Sequence, residues 1–340
     1  QRLRAPRLKD GGKWKTIPWE TAIDIVARQF ENAIQTYGRH ASLYYADGGY
    51  GGIVKSVDRL FFNCLGGVTV PRGSLCWAAG MAAQRYDFGD VRGHAPHDLT
   101  RARCIVIWGR NPVATNPHLM PFLQKARQQG ARLVVIDPIK TLSARQADIQ
   151  LQPHPGTDGA LALGMAHHLI TSKRVDEAFL SRSTHGFNRF ADSLKTFTPA
   201  HAAAITGLDA DTIRRTAAQY ADASPSSIII GMGLQRYANG GHTVRCIDAL
   251  AALTGNIGRS GGGVNYANRS ITRWIDRDGG ARTDNPPPDP RTFPLPRMAH
   301  FLRTVQTPPI KVMMIAKANP LVQMPDTRAM QAALARVPFK

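Results

Sequence analysis

The four cysteines are the residues to test first for metal binding or thiol chemistry, and one of them stands apart from the others. Cys64, Cys76, Cys104 and Cys246 are separated by 12, 28 and 142 residues and form no C-x-x-C pair. This spacing argues against a zinc site, an iron–sulfur cluster or a disulfide framework within the chain. Three of the four lie in periodic apolar segments and are predicted to be core thiols. Cys76 instead lies between small residues that let a large group approach its sulfur, so it is the candidate reactive or metal-binding thiol.

The clearest folding unit places polar residues and glycines at the ends of buried strands. Residues 104–108 form an unbroken apolar run, and residues 133–136 form a second one. A loop at 109–112 and a helix over about 118–129 separate them, as in a βαβ unit. Apolar runs without polar alternation predict a parallel sheet covered by helices, whose ligands bind at the carboxyl ends of the strands. The loops at 109–112 and 137–141 are therefore candidate ligand loops.

Other loops are open to more than one interpretation. The pair at 157–158 precedes an apolar helix and fits either a ligand contact or the cap of that helix. Residues 226–230 form another buried strand, which ends in the small-residue loop 231–236. The glycine-rich stretch 47–52 fits either a backbone close to a ligand or a plain tight turn. The stretch 273–296 is rich in Pro, Asp, Arg and Gly and is predicted to be a surface loop.

The composition is strongly basic. The chain carries 43 Lys and Arg residues against 24 Asp and Glu residues, a formal net charge of +19 at pH 7. The basic residues are scattered singly, with no basic stripe interleaved with aromatic residues, so no nucleic-acid partner is predicted. A phosphate-rich cofactor explains part of the excess, and a generally basic surface is the open alternative. No apolar run approaches the roughly 20 residues of a transmembrane helix, so no membrane insertion is predicted.

Seven short motifs follow one another along the chain. They are Cys76 and the residues at 109–112 (GRNP), 137–138 (DP), 155–158 (PGTD), 231–233 (GMG), 253–258 (LTGNIG) and 319–326 (NPLVQMPD). Each motif is weak alone, but together and at these intervals the chain resembles the molybdopterin oxidoreductases of the dimethyl sulfoxide reductase and formate dehydrogenase family. The resemblance covers nearly the whole chain, from Trp14 onward.

The resemblance implies a metal cofactor. It would be bis(molybdopterin guanine dinucleotide) carrying molybdenum or tungsten, with Cys76 as the protein ligand to the metal. A thiolate suits a soft, high-valent metal, and coordination would deprotonate it. The implied function is two-electron redox chemistry on a small-molecule substrate, with an electron-transfer subunit or carrier as partner.

The resemblance also assigns the residues that would bind this cofactor. Asn111 would contact the nucleotide, and Asp137 would accept hydrogen bonds from its ribose hydroxyls. Gly156 and Asp158 would recognise the guanine edge. A carboxylate suits such roles because it pairs buried donors with a charged acceptor. The other members of the set, near the pterin or in matching motifs, are Met232, Gly233, Arg110 and Asn319.

The chain departs from the family pattern in three places. It has no N-terminal four-cysteine module, so no iron–sulfur cluster is predicted for it. The family's C-terminal domain, which holds the second guanine dinucleotide, is also missing, so we expect the two central domains of a longer protein. Formate dehydrogenases have His after the ligand, where Trp77 stands here, and an Arg where Asn268 stands. Formate oxidation is therefore not predicted.

These inferences predict an α/β protein of two lobes. Residues 71–266 would form a doubly wound, mostly parallel sheet that binds the dinucleotide. This lobe would be inserted into a discontinuous α/β lobe built from residues 1–70 and 267–340. The sequence leaves the cell compartment open between the bacterial cytoplasm and, if a twin-arginine signal lies upstream, the periplasm.

Two other functions stay open at this point. One is a non-catalytic structural relative within an electron-transfer complex. The other is a NAD-binding doubly wound protein, although residues 109–112 do not supply the G-x-G-x-x-G turn that such a site needs. Four polar side chains that follow the candidate thiol are minor candidates for a substrate funnel. They are Tyr86, Asp87, His94 and His97.

Overall fold

The chain folds into two compact units. A computed structural model describes residues 2–47, 57–268, 274 and 290–340. Residues 48–52 of the glycine-rich stretch and most of the predicted loop 273–296 lie outside the described residues. Unit 1 comprises residues 1–75 and 276–340, and unit 2 comprises residues 76–275. The lobe boundaries at 70/71 and 266/267 remain predictions.

Strands and helices are mixed along the whole chain. The strands are β1 Arg7–Asp10, β2 Lys13–Thr16, β3 Ser42–Ala46, β4 Val70–Arg72, β5 Cys104–Trp108, β6 Arg132–Ile136, β7 Ile149–Leu151, β8 Ser226–Ile230, β9 Gly263–Asn265, β10 Thr292–Pro294 and β11 Val312–Ala316. The helices are α1 Trp19–Tyr37, α2 Val57–Cys64, α3 Ala78–Phe88, α4 Pro112–Thr115, α5 Met120–Gln128, α6 Asp158–Thr171, α7 Glu177–Ser183, α8 Phe187–Ser193, α9 Pro199–Thr206, α10 Ala210–Asp222, α11 Gly240–Leu253, α12 Met298–Thr304, α13 Pro320–Gln323 and α14 Thr327–Ala335. Among the described residues, no helix has the length and hydrophobicity needed to cross a membrane.

Unit 2 is built on a five-stranded sheet in the order β7-β6-β5-β8-β9, with parallel neighbours throughout. In the central strand β5, Val106 aligns with Val134 on one side and with Ile228 on the other. Every residue of β5 is buried, as expected of a strand covered on both faces. The predicted α/β fold with a parallel sheet is confirmed. The ends of β5 and β8 form the switch point of the strand order, where such sheets bind ligands.

Alternate residues of β5 pack into two separate cores. Val106 and Trp108 belong to a cluster with residues of α6, α10 and α11. Ile105 and Ile107 belong to a second cluster with residues of α5. Burying one large apolar side chain contributes about 1.5–3 kcal/mol. Two cores on one strand therefore fix the direction of β5 and with it the position of the loop that follows.

Unit 1 contains the parallel pairs β3–β11 and β4–β10 and the antiparallel hairpin β1–β2. The strand β10 corrects the sequence analysis, which predicts a surface loop across residues 292–294. Phe293 is buried there, and its ring stacks on that of Phe301 with 4.1 Å between centroids. The strand depends on this packing and on pairing with residues 70–72, neither of which local composition can indicate.

Gly164 marks a close approach between α6 and α9. A Cβ atom at position 164 would lie 2.5 Å from the Cβ atom of Ala202. We expect Gly164→Ala to lower the free energy of unfolding by about 1–3 kcal/mol, the usual cost of overpacking. Gly241→Ala in α11 is the control, because its Cβ atom would meet nothing closer than 3.5 Å. Urea denaturation measures both variants, and equal stabilities would contradict the packing described here.

Candidate functional site

The loops that follow β5 and β8 touch at the carboxyl end of the unit 2 sheet. The N–H of Gly231 donates to the carbonyl of Trp108 at 2.7 Å. A Cβ atom at position 231 would lie 1.7 Å from the carbonyl oxygen of Gly109, so only glycine fits. Gly109 has a φ of +62°, a conformation that glycine adopts without strain. Glycine at both positions lets the two loops meet at the switch point.

Arg110 lies at this junction and has no acidic partner among the described residues. Its side chain is half-buried, and burial lowers the pKa of the guanidinium. An arginine nevertheless stays charged at physiological pH. A half-buried guanidinium that no carboxylate neutralises is suited to bind an external anion such as a phosphate group.

Asn111 ties the loop after β5 to the loop after β6. Its Oδ1 atom accepts hydrogen bonds from the Ser143 hydroxyl at 2.7 Å and from the Ser143 N–H at 3.3 Å. The side-chain carbonyl is therefore occupied within the fold. The Nδ2 amino group is the part of Asn111 that is suited to donate to a ligand.

Two carboxyl groups, those of Asp137 and Asp158, lie near each other on the edge of the unit 2 sheet that is formed by the carboxyl ends of its strands. Asp158 is buried, and its Oδ1 atom accepts from Trp108 Nε1 at 2.8 Å. Burial raises its pKa, and the negative charge of Asp137 raises it further, against the effect of the Trp108 hydrogen bond. Burial also raises the pKa of Asp137, against a hydrogen bond from the N–H of Ile139. Both groups gain from a ligand that donates hydrogen bonds to the ionised form.

The alternative that residues 157–158 merely cap α6 receives no support from the hydrogen bonds. Thr157 is the N-cap residue, but its side chain makes no cap hydrogen bond. Its hydroxyl donates to the carbonyl of His154 at 2.7 Å instead. The buried carboxyl of Asp158 is the first helical residue, and it is committed to Trp108 at the end of β5.

Gly156, Met232 and Gly233 lie on the loops beside these charged groups. Gly156 has a φ of +80°, and a Cβ atom there would lie 3.0 Å from the ring of Tyr237. Loops 153–157 and 231–237 therefore meet at this glycine. Gly233 is exposed, and no atom of the described residues lies within 4 Å of its Cβ position. Met232 is half-buried against the main core of unit 2.

Cys76 is exposed and lies two residues before the first residue of α3. The N-cap residue of α3 is Trp77, whose side chain makes no cap hydrogen bond. Gln235, in the loop after β8, supplies the cap: its Oε1 atom accepts from the N–H groups of Ala79 at 2.8 Å and Gly80 at 3.1 Å. The candidate thiol is thereby tied to the switch point of the sheet.

Tyr266 supports the same segment through its ring and its hydroxyl. It is buried, and its hydroxyl donates to the carbonyl of Trp77 at 3.3 Å. A Cβ atom at Gly80 would lie 2.3 Å from the ring. Burial raises the pKa of Tyr266, as would a negative charge on Cys76. Sequence reasoning missed Gln235 and Tyr266 because each contact spans more than 150 residues of chain.

Two of the minor candidates lie away from this edge. The Nδ1 atom of His94 contacts Asp98 at 2.9 Å, and its Nε2 atom contacts the hydroxyl of Ser227 at 3.1 Å. Ser227 is the second residue of β8. His94 therefore lies at the amino end of the parallel strands, whereas the candidate ligand loops lie at their carboxyl end. His97 is exposed in the same short segment. Neither histidine joins the candidate site.

The other two minor candidates contact one arginine of α11. The Nε atom of Arg245 donates to Asp87 at 2.7 Å. The guanidinium of Arg245 also lies over the ring of Tyr86, 4.4 Å from its centroid. These contacts link α3 to α11, and Tyr86 itself is exposed. A role of either residue in a substrate funnel stays a prediction.

Further sequence predictions concern residues of unit 1. Cys64 is exposed and not a core thiol as predicted, because α2 buries Phe62 instead. Asn319 follows β11, and its N–H donates to the Oε1 atom of Gln323 at 2.8 Å. The prediction that Asn319 contacts the cofactor stays a prediction. In unit 2, Cys104 is buried as predicted and Cys246 is partly buried.

Comparison with known proteins identifies the family. The profile of the molybdopterin oxidoreductase family matches residues 2–339. The probable oxidoreductase YyaE of Bacillus subtilis is 38% identical over 342 residues, which cover 99% of this chain and 50% of that protein. Dimethyl sulfoxide reductase DmsA of Escherichia coli is 33% identical over 299 residues, which cover 77% and 37% of the two chains. The chain therefore belongs to the molybdopterin oxidoreductase family, which confirms the resemblance seen in the sequence.

A solved structure shares the fold. Acetylene hydratase from Pelobacter acetylenicus superimposes with a TM-score of 0.72 at 19% sequence identity, covering 99% of this chain and 52% of that chain. At this identity the likeness concerns the fold alone. The chain spans about half the length of acetylene hydratase and of YyaE.

Two glycines of the loop after β8 provide a test of the switch-point geometry. In Gly231→Ala the new methyl group would clash with the carbonyl oxygen of Gly109. We therefore expect this substitution to lower the free energy of unfolding by about 3 kcal/mol or more. Gly233→Ala enters open space and is expected to change stability by less than about 0.5 kcal/mol. Urea denaturation of both variants measures the difference. A fully stable Gly231→Ala protein would contradict the close approach of the two loops.

The raised pKa of Asp158 predicts a pH-dependent cost in stability. Because the folded state binds the Asp158 proton more tightly than the unfolded state, the contribution of Asp158 to stability falls as pH rises from about 4 through its folded-state pKa. Asp158→Asn keeps an acceptor for Trp108 and removes the charge. We expect the variant to gain stability relative to wild type as pH rises above about 4, measured by urea denaturation.

The control for this measurement is Asp192→Asn. Asp192 and its partner Lys195 are both exposed, and exposed pairs contribute little to stability. The difference between this control and wild type should therefore change little with pH. Parallel pH profiles for Asp158→Asn and wild type would contradict the buried, costly carboxyl group described here.

Proposed function

We propose that the full-length protein is an oxidoreductase that binds molybdenum or tungsten through bis(molybdopterin guanine dinucleotide). The observation that carries the proposal is the placement of Arg110, two carboxyls and the Cys76 segment around one switch point, with no carboxylate partner for Arg110 in the part of the chain that the structure describes. The chemistry of this set fits the cofactor, because it offers a cation for phosphates, acceptors for sugar and base, and a thiol for the metal.

The proposed contacts follow from the donor or acceptor character of each group. Arg110 would bind phosphate oxygens, and the Nδ2 group of Asn111 would donate to the nucleotide. Asp137 would accept from ribose hydroxyls, while Asp158, beside Gly156, would accept from the N–H groups of guanine. Three further residues are proposed to contact the cofactor by their place in the family motifs. They are Met232, Gly233 and Asn319.

Cys76 is proposed as the single protein ligand to the metal. Its exposure supports the proposal, as does its connection through Gln235 to the loop after β8. Coordination would remove the thiol proton, since a metal-bound thiol is deprotonated. When bound, the metal would supply two-electron oxidation or reduction of a small substrate. The protein would orient the cofactor and tune its potential.

The partners of the full-length protein are also proposals. A small molecule is the expected substrate, and an electron-transfer subunit or carrier is the expected redox partner. Relatives named as chains or subunits support this expectation, such as the F420-dependent formate dehydrogenase subunit alpha of Methanocaldococcus jannaschii, which is 37% identical over 168 residues. Trp77 and Asn268 argue against formate as the substrate of this protein.

Dinucleotide binding of the NAD type finds less support at the same edge. In that mode, a pyrophosphate binds at the N-terminus of a helix that follows the first strand. Here α4 follows β5, spans four residues and begins with Pro112, which has no N–H to donate. The half-buried arginine and two carboxyls fit a guanine dinucleotide better.

Cofactor content tests the proposal directly. We expect about one molybdenum or tungsten atom and about two guanine nucleotides per full-length chain, measured by plasma mass spectrometry and by chromatography after acid hydrolysis. Absence of metal and guanine from protein made in a host that synthesises the cofactor would favour the non-catalytic alternative. Bound NAD in their place would favour the nucleotide-binding alternative.

Cys76→Ala tests the ligand assignment. We expect turnover in the full-length protein to fall by at least about 100-fold. Mutation of a residue that only supports a metal ligand already lowers metal affinity or activity by about 10–100-fold. Cys64→Ser is the matched control, because Cys64 is also exposed but lies in unit 1 on α2. An equal loss in both variants, or in neither, would contradict the role proposed for Cys76.

A further inference from the structure

We propose that Gln235 is a positioning residue that holds the first turn of α3, and with it Cys76, against the loop that follows β8. The inference rests on the proposed function, because it concerns the residue proposed to bind the metal. Gln235 itself would touch neither metal nor substrate. Its role would be to fix where the thiol stands relative to Met232 and Gly233.

The first turn of α3 needs an external acceptor. The opening N–H groups of a helix have no partner within the helix, and a side-chain oxygen at the N-cap normally accepts from one of them. Trp77 occupies the N-cap here and has no side-chain oxygen. The Oε1 atom of Gln235 accepts from two of these groups at once, those of Ala79 and Gly80. One amide oxygen therefore caps the helix from a distant loop.

Gln235 is itself held firmly in place. It is buried, with 8% of its surface exposed. A Cβ atom at Gly240 would lie 2.2 Å from the backbone oxygen of Gln235, so α11 begins directly against it. The neighbouring Leu234 packs on Gly109, where a Cβ atom would lie 2.9 Å from the leucine side chain. The acceptor is thus fixed by the same close packing that defines the switch point.

A second contact holds the Cys76 segment independently of this cap. The hydroxyl of Tyr266 donates to the carbonyl of Trp77, and its ring occupies the space that a side chain at Gly80 would need. The segment therefore stays attached to unit 2 when the cap is lost, but its first turn opens more often and the thiol before it shifts. Loss of Gln235 should displace the thiol without unfolding unit 2.

The test compares two substitutions at one position. Gln235→Met keeps the length of the side chain and removes the acceptor, whereas Gln235→Glu keeps an acceptor that the helix N-terminus favours. Both are made in the full-length protein, first without cofactor. Hydrogen exchange is measured by mass spectrometry at the amides of Ala79 and Gly80. We expect about fivefold faster exchange in Gln235→Met, the effect of one lost cap, and near wild-type exchange in Gln235→Glu.

The same variants are then prepared with cofactor and compared with Cys76→Ser by X-ray absorption at the metal edge. Cys76→Ser should remove the contribution of the Cys76 sulfur to the metal spectrum. We expect Gln235→Met to remove part of the same contribution and Gln235→Glu to retain it. If hydrogen exchange at Ala79 and Gly80 is unchanged in Gln235→Met, Gln235 does not cap α3 and the proposal is wrong. Faster exchange with a wild-type metal spectrum overturns the positioning role.

Failure of the proposed function has a different signature. If Cys76→Ser itself leaves the metal spectrum unchanged, the ligand role of Cys76 is wrong, and the metal part of this inference falls with it. The exchange rates at Ala79 and Gly80 then still decide whether Gln235 holds α3. The two claims are therefore separated within one set of variants.

Discussion

The close approach of the loops after β5 and β8 is the constraint on which the rest of unit 2 depends. The carbonyl of Gly109 leaves no room for a side chain at position 231. With both loops pressed together, Leu234 and Gln235 are fixed beyond them, and Gln235 reaches α3. A packing requirement at one pair of glycines is thus transmitted over a short distance to the segment that carries Cys76.

The polar groups on this edge are costly for the fold alone. Arg110 is half-buried, and the described residues offer it no carboxylate partner, while burial raises the pKa of both Asp137 and Asp158. Groups optimised for stability would be paired or exposed. Their arrangement is better explained by a ligand that brings phosphates to the arginine and hydrogen-bond donors to the carboxyls. A molybdopterin guanine dinucleotide carries both kinds of group.

Local pattern in the sequence predicts the sheet of unit 2 well. The apolar runs at 104–108 and 228–230 lie in buried parallel strands, because strands covered on both faces favour apolar residues. The predicted ligand loops at 109–112 and 137–141 follow β5 and β6 at the carboxyl end of the sheet. The motif order indicated the family, which the comparisons confirm.

Features that depend on distant residues could not be predicted in this way. The strand at 292–294 exists because Phe293 packs on Phe301 and the backbone pairs with residues 70–72. The cap of α3 by Gln235 joins positions 156 residues apart, and Cys64 was misplaced because α2 turns Phe62 inward. In each case a tertiary contact, and not the local sequence, determines the outcome.

The central claim is that the carboxyl end of the unit 2 sheet would present Cys76 to a metal carried by a molybdopterin guanine dinucleotide. The most direct measurement is an anomalous difference map from crystals of the full-length protein, collected above the absorption edge of molybdenum or tungsten. We expect a single strong peak at bonding distance from the Cys76 sulfur, with guanine density against Asp158. A metal peak bonded to another residue, or guanine bound away from Asp158, would contradict it.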